Sequence, residues 1–207
     1  MIHTVKTTIL LLAIALLPFS AVAYDFMEDG IVYNIIDNNS VEVTHNYDYD
    51  YNKNYYGLTE VNIPASVIHN RTTYSVTSIG LSAFFGCNGL TKVNIPNSVT
   101  YIGENAFYGC SGLTSVTIPN SVTKIGKYAF VGCGGLTSVT IGDNVTTIDV
   151  GAFSSCSSLT EITIPANVRY ISDDAFMGCN KLKKIYLQGD QVENLWWVPE
   201  GAEVVRG

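Results

Sequence analysis

The sequence predicts an α/β solenoid, a stack of 23-residue coils in which a short parallel strand on one wall faces a short helical or 3-10 segment, or a turn, on the other. Three observations predict it. Cys87, Cys110, Cys133, Cys156 and Cys179 stand 23 residues apart without drift. Three residues before each cysteine is a phenylalanine (Phe84, Phe107, Phe130, Phe153, Phe176), preceded by alanine, and three after it a leucine (Leu90, Leu113, Leu136, Leu159, Leu182). An alternating run then carries Val93, Val116, Val139, Ile162 or Ile185, followed two residues on by Ile95, Ile118, Ile141, Ile164 or Leu187. A coil of this length cannot bury its apolar side alone, so successive coils must stack and share one core.

Along the chain, residues 1–23 read as an export signal. Lys6 supplies the charge, Ile9 to Leu17 a nine-residue apolar run, and Ala21-Val22-Ala23 a small-x-small cleavage site. Nine residues are too few to cross a bilayer, and Pro18 ends the run. The mature chain is expected to begin near Tyr24. Residues 24–57 are expected to form an N-terminal β cap, a hairpin of Ile31 to Ile36 and Val41 to Asn46 joined by Asp37-Asn38-Asn39-Ser40. The cap has a purpose, because a solenoid exposes a hydrophobic cross-section at each end.

Residues 58–193 form the solenoid. In L-T-x-V-x-I the Leu, Val and Ile point inward with period 2, the mark of a strand, and stacking sets these strands in parallel. In A-F-x-x-C the spacing is nearer to helical, and Gly and Pro mark the corners. Gly103 and Gly126 keep the I-G corner, whereas Asp149 and Ser172 replace it, so the fourth and fifth coils should turn there with a different backbone. Residues 194–207 read as a C-terminal cap. Trp196-Trp197-Val198-Pro199 should lie over the last coil, with a platform for sugars or peptides as the alternative.

The pattern read in full, as in IGENAFYGCSGLTSVTIP and IGKYAFVGCGGLTSVTIP, resembles the BspA-like (treponemal-type) leucine-rich repeat family. The resemblance covers five copies and extends upstream to LTEVNIP at Leu58 to Pro64, beyond which nine extra residues near 66–75 precede YSVTSIG. It implies a right-handed leucine-rich repeat with a concave parallel β-sheet. It also implies an exported, surface-associated interaction protein or adhesin with no cofactor and no catalytic residues to carry over.

Composition narrows the functions. Only 14% of residues are Asp, Glu, Lys or Arg, and the formal net charge is −7. No broad cationic surface is available for nucleic acid or anionic lipid, and no membrane insertion of the mature chain is expected. Five cysteines cannot all pair within one chain. Adjacent rungs point their Cβ atoms the same way, unlike a disulfide, and no cysteine has the clustered partners of a metal site. Buried, reduced, structural thiols are expected, with no metal.

Beyond the signal segment the only histidines are His45 in the cap and His69 in the insertion, read as solvated loop or edge residues rather than bases, and no nucleophile or phosphate motif is present. Enzyme activity is not expected. Asp48 to Asn54 alternates oxygen donors, but it lacks the sixth-position glycine and has Thr59 where an EF-hand has its bidentate Glu, leaving only an irregular calcium site as an alternative.

Two binding surfaces are expected. On the concave sheet, one outward column reads Glu60, Lys92, Ser115, Ser138, Glu161, Lys184 and the other Asn62, Asn94, Thr117, Thr140, Thr163, Tyr186. A Ser/Thr floor between charged rims suits an extended protein segment or a glycan, although Ser and Thr also simply suit exposed strands. The second surface is the loop with Tyr47, Tyr49, Tyr51, Tyr55 and Tyr56, since tyrosine supplies contact area at low entropy cost. Together these point to a monomeric, exported, noncatalytic module, secreted or held at the cell surface, whose partner is an extracellular or host protein. A structural spacer of an envelope assembly and a glycan-binding accessory protein are the alternatives.

Overall fold

The structure, a computed structural model, describes residues 24–45, 55, 57–190 and 196–207. The export-signal segment, Tyr47, Tyr49, Tyr51, Tyr56 and the Asp48–Asn54 loop lie outside the described residues. Within them are the strands β1 (Phe26–Glu28), β2 (Ile31–Ile35), β3 (Ser40–Val43), β4 (Glu60–Asn62), β5 (Ser66–His69), β6 (Thr72–Ile79), β7 (Lys92–Asn94) and β8 (Tyr101–Ile102). There follow β9 (Ser115–Thr117), β10 (Lys124–Ile125), β11 (Ser138–Thr140), β12 (Thr147–Ile148), β13 (Glu161–Ile164), β14 (Tyr170–Ile171), β15 (Lys184–Leu187) and β16 (Glu203–Arg206).

The expected strand wall is present as a parallel ladder of L-T-x-V-x-I segments. It is divided into a four-stranded sheet, β4-β7-β9-β11, and a three-stranded sheet, β13-β15-β16. In β7, β9 and β11 the middle valine is buried and both neighbours are exposed, as period 2 requires. A second parallel ladder, not anticipated, is formed by the V-T-x-I segments at the other corner, in the order β6-β8-β10-β12-β14. Both ladders are held by the consensus threonines. The Thr114 and Thr137 hydroxyls donate to the Thr91 and Thr114 carbonyls of the preceding coil, and Thr123 and Thr146 do the same to Thr100 and Thr123.

The helical wall is corrected: no α- or 3-10 helix occurs among the described residues. Ser82, Asn105 and Tyr128 lie in the left-handed region, as do Gly86, Gly109 and Gly132, and a left-handed residue every few positions stops an α-helix from propagating. The backbone donors are also committed elsewhere. Asn105, Phe107 and Gly109 give their N–H groups to Lys127, Ala129 and Val131 of the next coil, while Tyr108 and Cys110 close turns onto Asn105 and Phe107. The wall is thus a series of turns stitched coil to coil.

The I-G corner is a close approach, since a Cβ on Gly103 would stand 2.8 Å from the carbonyl carbon of Gly80. Gly103 donates to Ile79 at 2.7 Å and Gly126 to Ile102 at 2.9 Å, while Asp149 and Ser172 make the same bond at 3.1 Å. The fourth coil keeps its left-handed residue, Gly151. In the fifth, Asp174 leaves that conformation, and its carboxylate accepts from the Gly151 N–H and the Ser172 hydroxyl.

A single core runs the length of the stack. Phe84, Phe107, Phe130, Phe153 and Phe176 are fully buried, and their rings stack with centroid separations of 5.1, 5.0, 5.3 and 5.6 Å. The cap hairpin is present as β2 and β3, extended by β1, and β3 pairs in parallel with β6, so the cap continues the second ladder. The extra residues near 66–75 form a β5–β6 hairpin whose turn residues Asn70 and Arg71 both have positive φ, as a type I′ turn requires. After the last full coil, β16 adds one more parallel rung to β15.

Candidate functional site

The two predicted columns are built by register. Glu60 pairs with Lys92 and Lys92 with Ser115; Ser115 pairs with Ser138; Glu161 pairs with Lys184, and Lys184 with Glu203. In the second column Asn62 faces Asn94, Thr117 faces Thr140, and Thr163 faces Tyr186. Lys92, Asn94, Ser115, Thr117, Ser138, Thr140, Glu161, Thr163 and Lys184 are exposed, and Tyr186 is half-buried. The columns share one wall, but no ladder pairing joins β11 to β13 among the described residues.

Each cation here stands beside an anion. Lys92 Nζ is 4.0 Å from Glu60 Oε2, with both side chains solvated, and Lys184 lies in register between Glu161 and Glu203. Such exposed neighbours contribute little to stability. Their effect is to leave the face without a net positive field, so the available chemistry is that of hydroxyls, amides and balanced charges. The Asn94 side-chain amide donates to the Asn62 side-chain oxygen Oδ1, and this fixes the orientation of the first amide pair.

The cysteine ladder lies inside the core, with all five thiols buried and none in a disulfide. Cys110, Cys133, Cys156 and Cys179 donate to the Phe84, Phe107, Phe130 and Phe153 carbonyls of the preceding coil at 3.1 to 3.3 Å. Burial pushes the Cys133 thiol up to about 12. The neighbouring Cys87 thiol, together with burial, raises Cys110, which keeps these groups protonated and unreactive.

The two histidines differ: His69 is half-buried on the edge strand β5, as expected of an edge residue, whereas His45 is not solvated. His45 is buried with Nδ1 3.1 Å from the Ser82 carbonyl, and desolvation lowers its pKa against that hydrogen bond. His69 stacks on Phe26 with ring centroids 4.2 Å apart. Among the described residues no group of three His, Cys, Asp or Glu side chains is placed to hold a metal ion.

The tyrosine loop is represented by Tyr55 alone. It is buried, stacked at 5.0 Å on Phe84, and its hydroxyl accepts from the Val32 N–H and donates to the Thr44 carbonyl. Tyr55 therefore serves the cap. At the other end the two tryptophans divide: Trp197 is 2% exposed and closes the ring column against Phe176 at 5.6 Å, whereas Trp196 is 81% exposed. Trp196 borders a cleft of about 470 Å³ that also takes in Asp173, Met177, Asn180 and Glu200.

Two features escaped the sequence reading. Glu203 extends the charged column, but Glu-Val-Val-Arg lacks the leucine and threonine that mark the other strands. A cleft of about 490 Å³ lies at the N-terminal end, lined by Glu28, Asp29, Tyr33, Glu60, Asn62 and Ile68 among others. It arises from two segments, Glu28 to Tyr33 and Leu58 to Ile68, that are distant in the chain, and no periodicity announces it.

Residues 77–195 match the pattern described as "BspA type Leucine rich repeat region" in six copies. A leucine-rich repeat protein from Bacteroides ovatus shares 34% identity at a TM-score of 0.67, covering 80% of this chain and 50% of its own length. The Treponema pallidum leucine-rich repeat protein shares 27% identity at a TM-score of 0.67, covering 79% of this chain and 71% of its own. The pneumococcal vaccine antigen PcpA, at 15% identity and a TM-score of 0.56, shares the fold. The chain spans about half the length of the Bacteroides ovatus protein. A search of curated proteins finds no match. With more than half of its length matched in six tandem copies, the chain belongs to the BspA-type leucine-rich repeat proteins.

Proposed function

We propose that the chain is an exported, noncatalytic protein-binding module, released or held at the cell surface after cleavage near Ala23, that recognises an extracellular or host protein through its two-column sheet face. The observation carrying this reading is the exposure of nine of its ten central positions in an ordered ladder whose inward residues are all core. A flat surface of hydroxyls and amides with paired charges has the adaptable polar contacts of a recognition surface.

The test is to probe immobilised extracellular-matrix and cell-surface proteins with residues 24–207. A specific interactor should lose binding at least tenfold with Ser138→Arg plus Thr140→Arg, and retain it with Tyr108→Ser on the turn wall. Equal loss from both variants, or no interactor at all, contradicts the reading.

A glycan-binding reading is favoured by a separate observation, the exposed Trp196 ring bordering a cleft with carboxylates and an amide. Glycan-array binding abolished by Trp196→Ala and untouched by the Ser138/Thr140 variant would select it.

A further inference from the structure

Among the described residues, the first rung of the sheet face has no strand paired along one edge. The Thr59 carbonyl accepts from Thr91 and Lys92, and the Ile63 N–H donates to the Asn94 carbonyl, so the odd-numbered positions of this segment face β7. Backbone groups alternate in direction along a strand. The N–H and C=O groups of Glu60 and Asn62 therefore face away from β7, and among the described residues no strand pairs with that edge of β4.

The open edge runs along the 490 Å³ cleft between the cap and the first coil. Three carboxylates line the cleft, Glu28, Asp29 and Glu60, and no Lys or Arg is among the lining residues. A second observation is independent of charge. Tyr33, also in the lining, is fully buried, and its hydroxyl has no hydrogen-bond partner among the described residues. A buried hydroxyl left without a partner is costly, and a ligand that supplies one recovers that cost.

We propose that the β4 edge receives an extended peptide bearing a lysine or arginine, added as a parallel or antiparallel strand with its cation against Glu60 and the Glu28–Asp29 carboxylates. Strand addition gives affinity through main-chain hydrogen bonds and specificity through alternate side chains. The added strand would continue the charge alternation already present where Lys184 lies between Glu161 and Glu203. A second copy of this chain is the less suitable occupant. Stacking its β16 on β4 in register would set Glu203 beside Glu60, two like charges directly opposite. The β16 edge is also a poorer receptor for a cation, because it carries its own, Arg206, 3.8 Å from Asp190.

This inference rests on the protein-binding reading, names a partner class for it, and can fail separately. The probe is a phage-displayed library of random twelve-residue peptides selected on residues 24–207, with the winners synthesised with blocked ends. The expected winners are rich in β-branched residues, carry Lys or Arg, and lose at least tenfold in affinity on Glu60→Lys or Asp29→Lys. Binding should weaken as salt rises. Asn62→Pro, which removes an edge N–H and leaves the β7 bonds, should weaken binding at least tenfold more than Asn62→Ala, which removes the side chain alone. Circular dichroism and thermal midpoints confirm that each variant folds. Winners without a basic residue, winners indifferent to Glu60→Lys, equal effects of Asn62→Pro and Asn62→Ala, or no winners at all would overturn the proposal. If any of these results accompanies a matrix protein whose binding depends on Ser138 and Thr140, the edge proposal alone has failed.

Discussion

The two ends of the stack solve one problem with different chemistry. Both must cover the last ring of the phenylalanine column, and both do so with a larger aromatic side chain. At the C-terminal end Trp197 covers Phe176, and the chain then adds β16 as a further rung. At the N-terminal end Tyr55 covers Phe84, and its hydroxyl bridges Val32 and Thr44 of the cap. One closure extends the sheet face. The other is hydrogen-bonded to the cap and, among the described residues, leaves the β4 edge without a paired strand beside an acidic cleft. End caps of a solenoid need only hide the core, so an end that hides it while leaving an ordered strand edge free has surface to spare for a partner.

Removing a central ring should cost most. Phe130 is stacked on both sides and fully buried, so Phe130→Ala is expected to lose about 3–5 kcal/mol in chemical denaturation, with the coils on either side uncoupled. Trp197→Ala should cost less, about 3 kcal/mol, because the ring stands at the end of the phenylalanine column and the stack can fray from that end. Hydrogen exchange in that variant should accelerate first in β15 and β16. Tyr55→Phe keeps the ring and removes only the hydroxyl, leaving the Val32 N–H and Thr44 carbonyl without that partner. It should cost about 1–3 kcal/mol and loosen the cap strands in exchange experiments while the distant coils stay protected. If both end variants loosen both ends equally, the column transmits more than nearest-neighbour stacking.

The thiols add a pH dependence shared by neither cap. The folded pKa values of Cys110, Cys133 and Cys156 are raised, so the native state holds these protons after the unfolded chain has begun to lose them, whereas the hydrogen bond with Cys156 shifts Cys179 downward. The contribution of the three raised thiols is therefore complete below the ordinary thiol pKa and is lost as pH rises above it, for Cys133 toward about 12. Native protein should leave all five thiols unreactive toward a thiol reagent at pH 8, and unfolded protein should expose all five. The smallest effect is expected from Thr123→Val, which deletes one exposed hydroxyl bond between coils and should cost about 0.5–1 kcal/mol.

Much of the architecture is legible because the same side chain recurs at the same depth in each coil. The period places Phe107 on Phe130 and Val116 beside Val139 without any knowledge of the backbone. The turn wall is not legible in this way. Ala, Phe and Cys fall at nearly helical spacing, yet the decisive residues are Asn105, Tyr128 and Gly109, whose left-handed conformations a side-chain pattern does not encode. The second ladder falls on the repeated V-T-x-I, but the two-residue strands β8, β10, β12 and β14 are too short to separate from a corner by alternation alone.

The columns of the candidate face follow from period 2, so Lys92, Ser115, Ser138 and the rest stand where alternation puts them. Tyr55 is the contrary case. Among four other tyrosines in a polar loop it reads as a recognition residue, and only its contact with Phe84 shows it to be part of the cap. His45 likewise looks like a loop residue until the turn wall supplies the Ser82 carbonyl. In both cases the deciding contact comes from a coil more than twenty-five residues away.

The most direct test of the working surface is a scan of every exposed position in a displayed library of residues 24–207. The library is sorted once for protease resistance and once for binding to an immobilised extracellular-matrix preparation. Positions that tolerate change for folding but not for binding should concentrate at Glu60, Asn62, Lys92, Asn94, Ser115, Thr117, Ser138 and Thr140. Their appearance instead at Phe85, Tyr108 and Tyr128 on the turn wall would contradict the assignment of the sheet face and its open edge as the site of recognition.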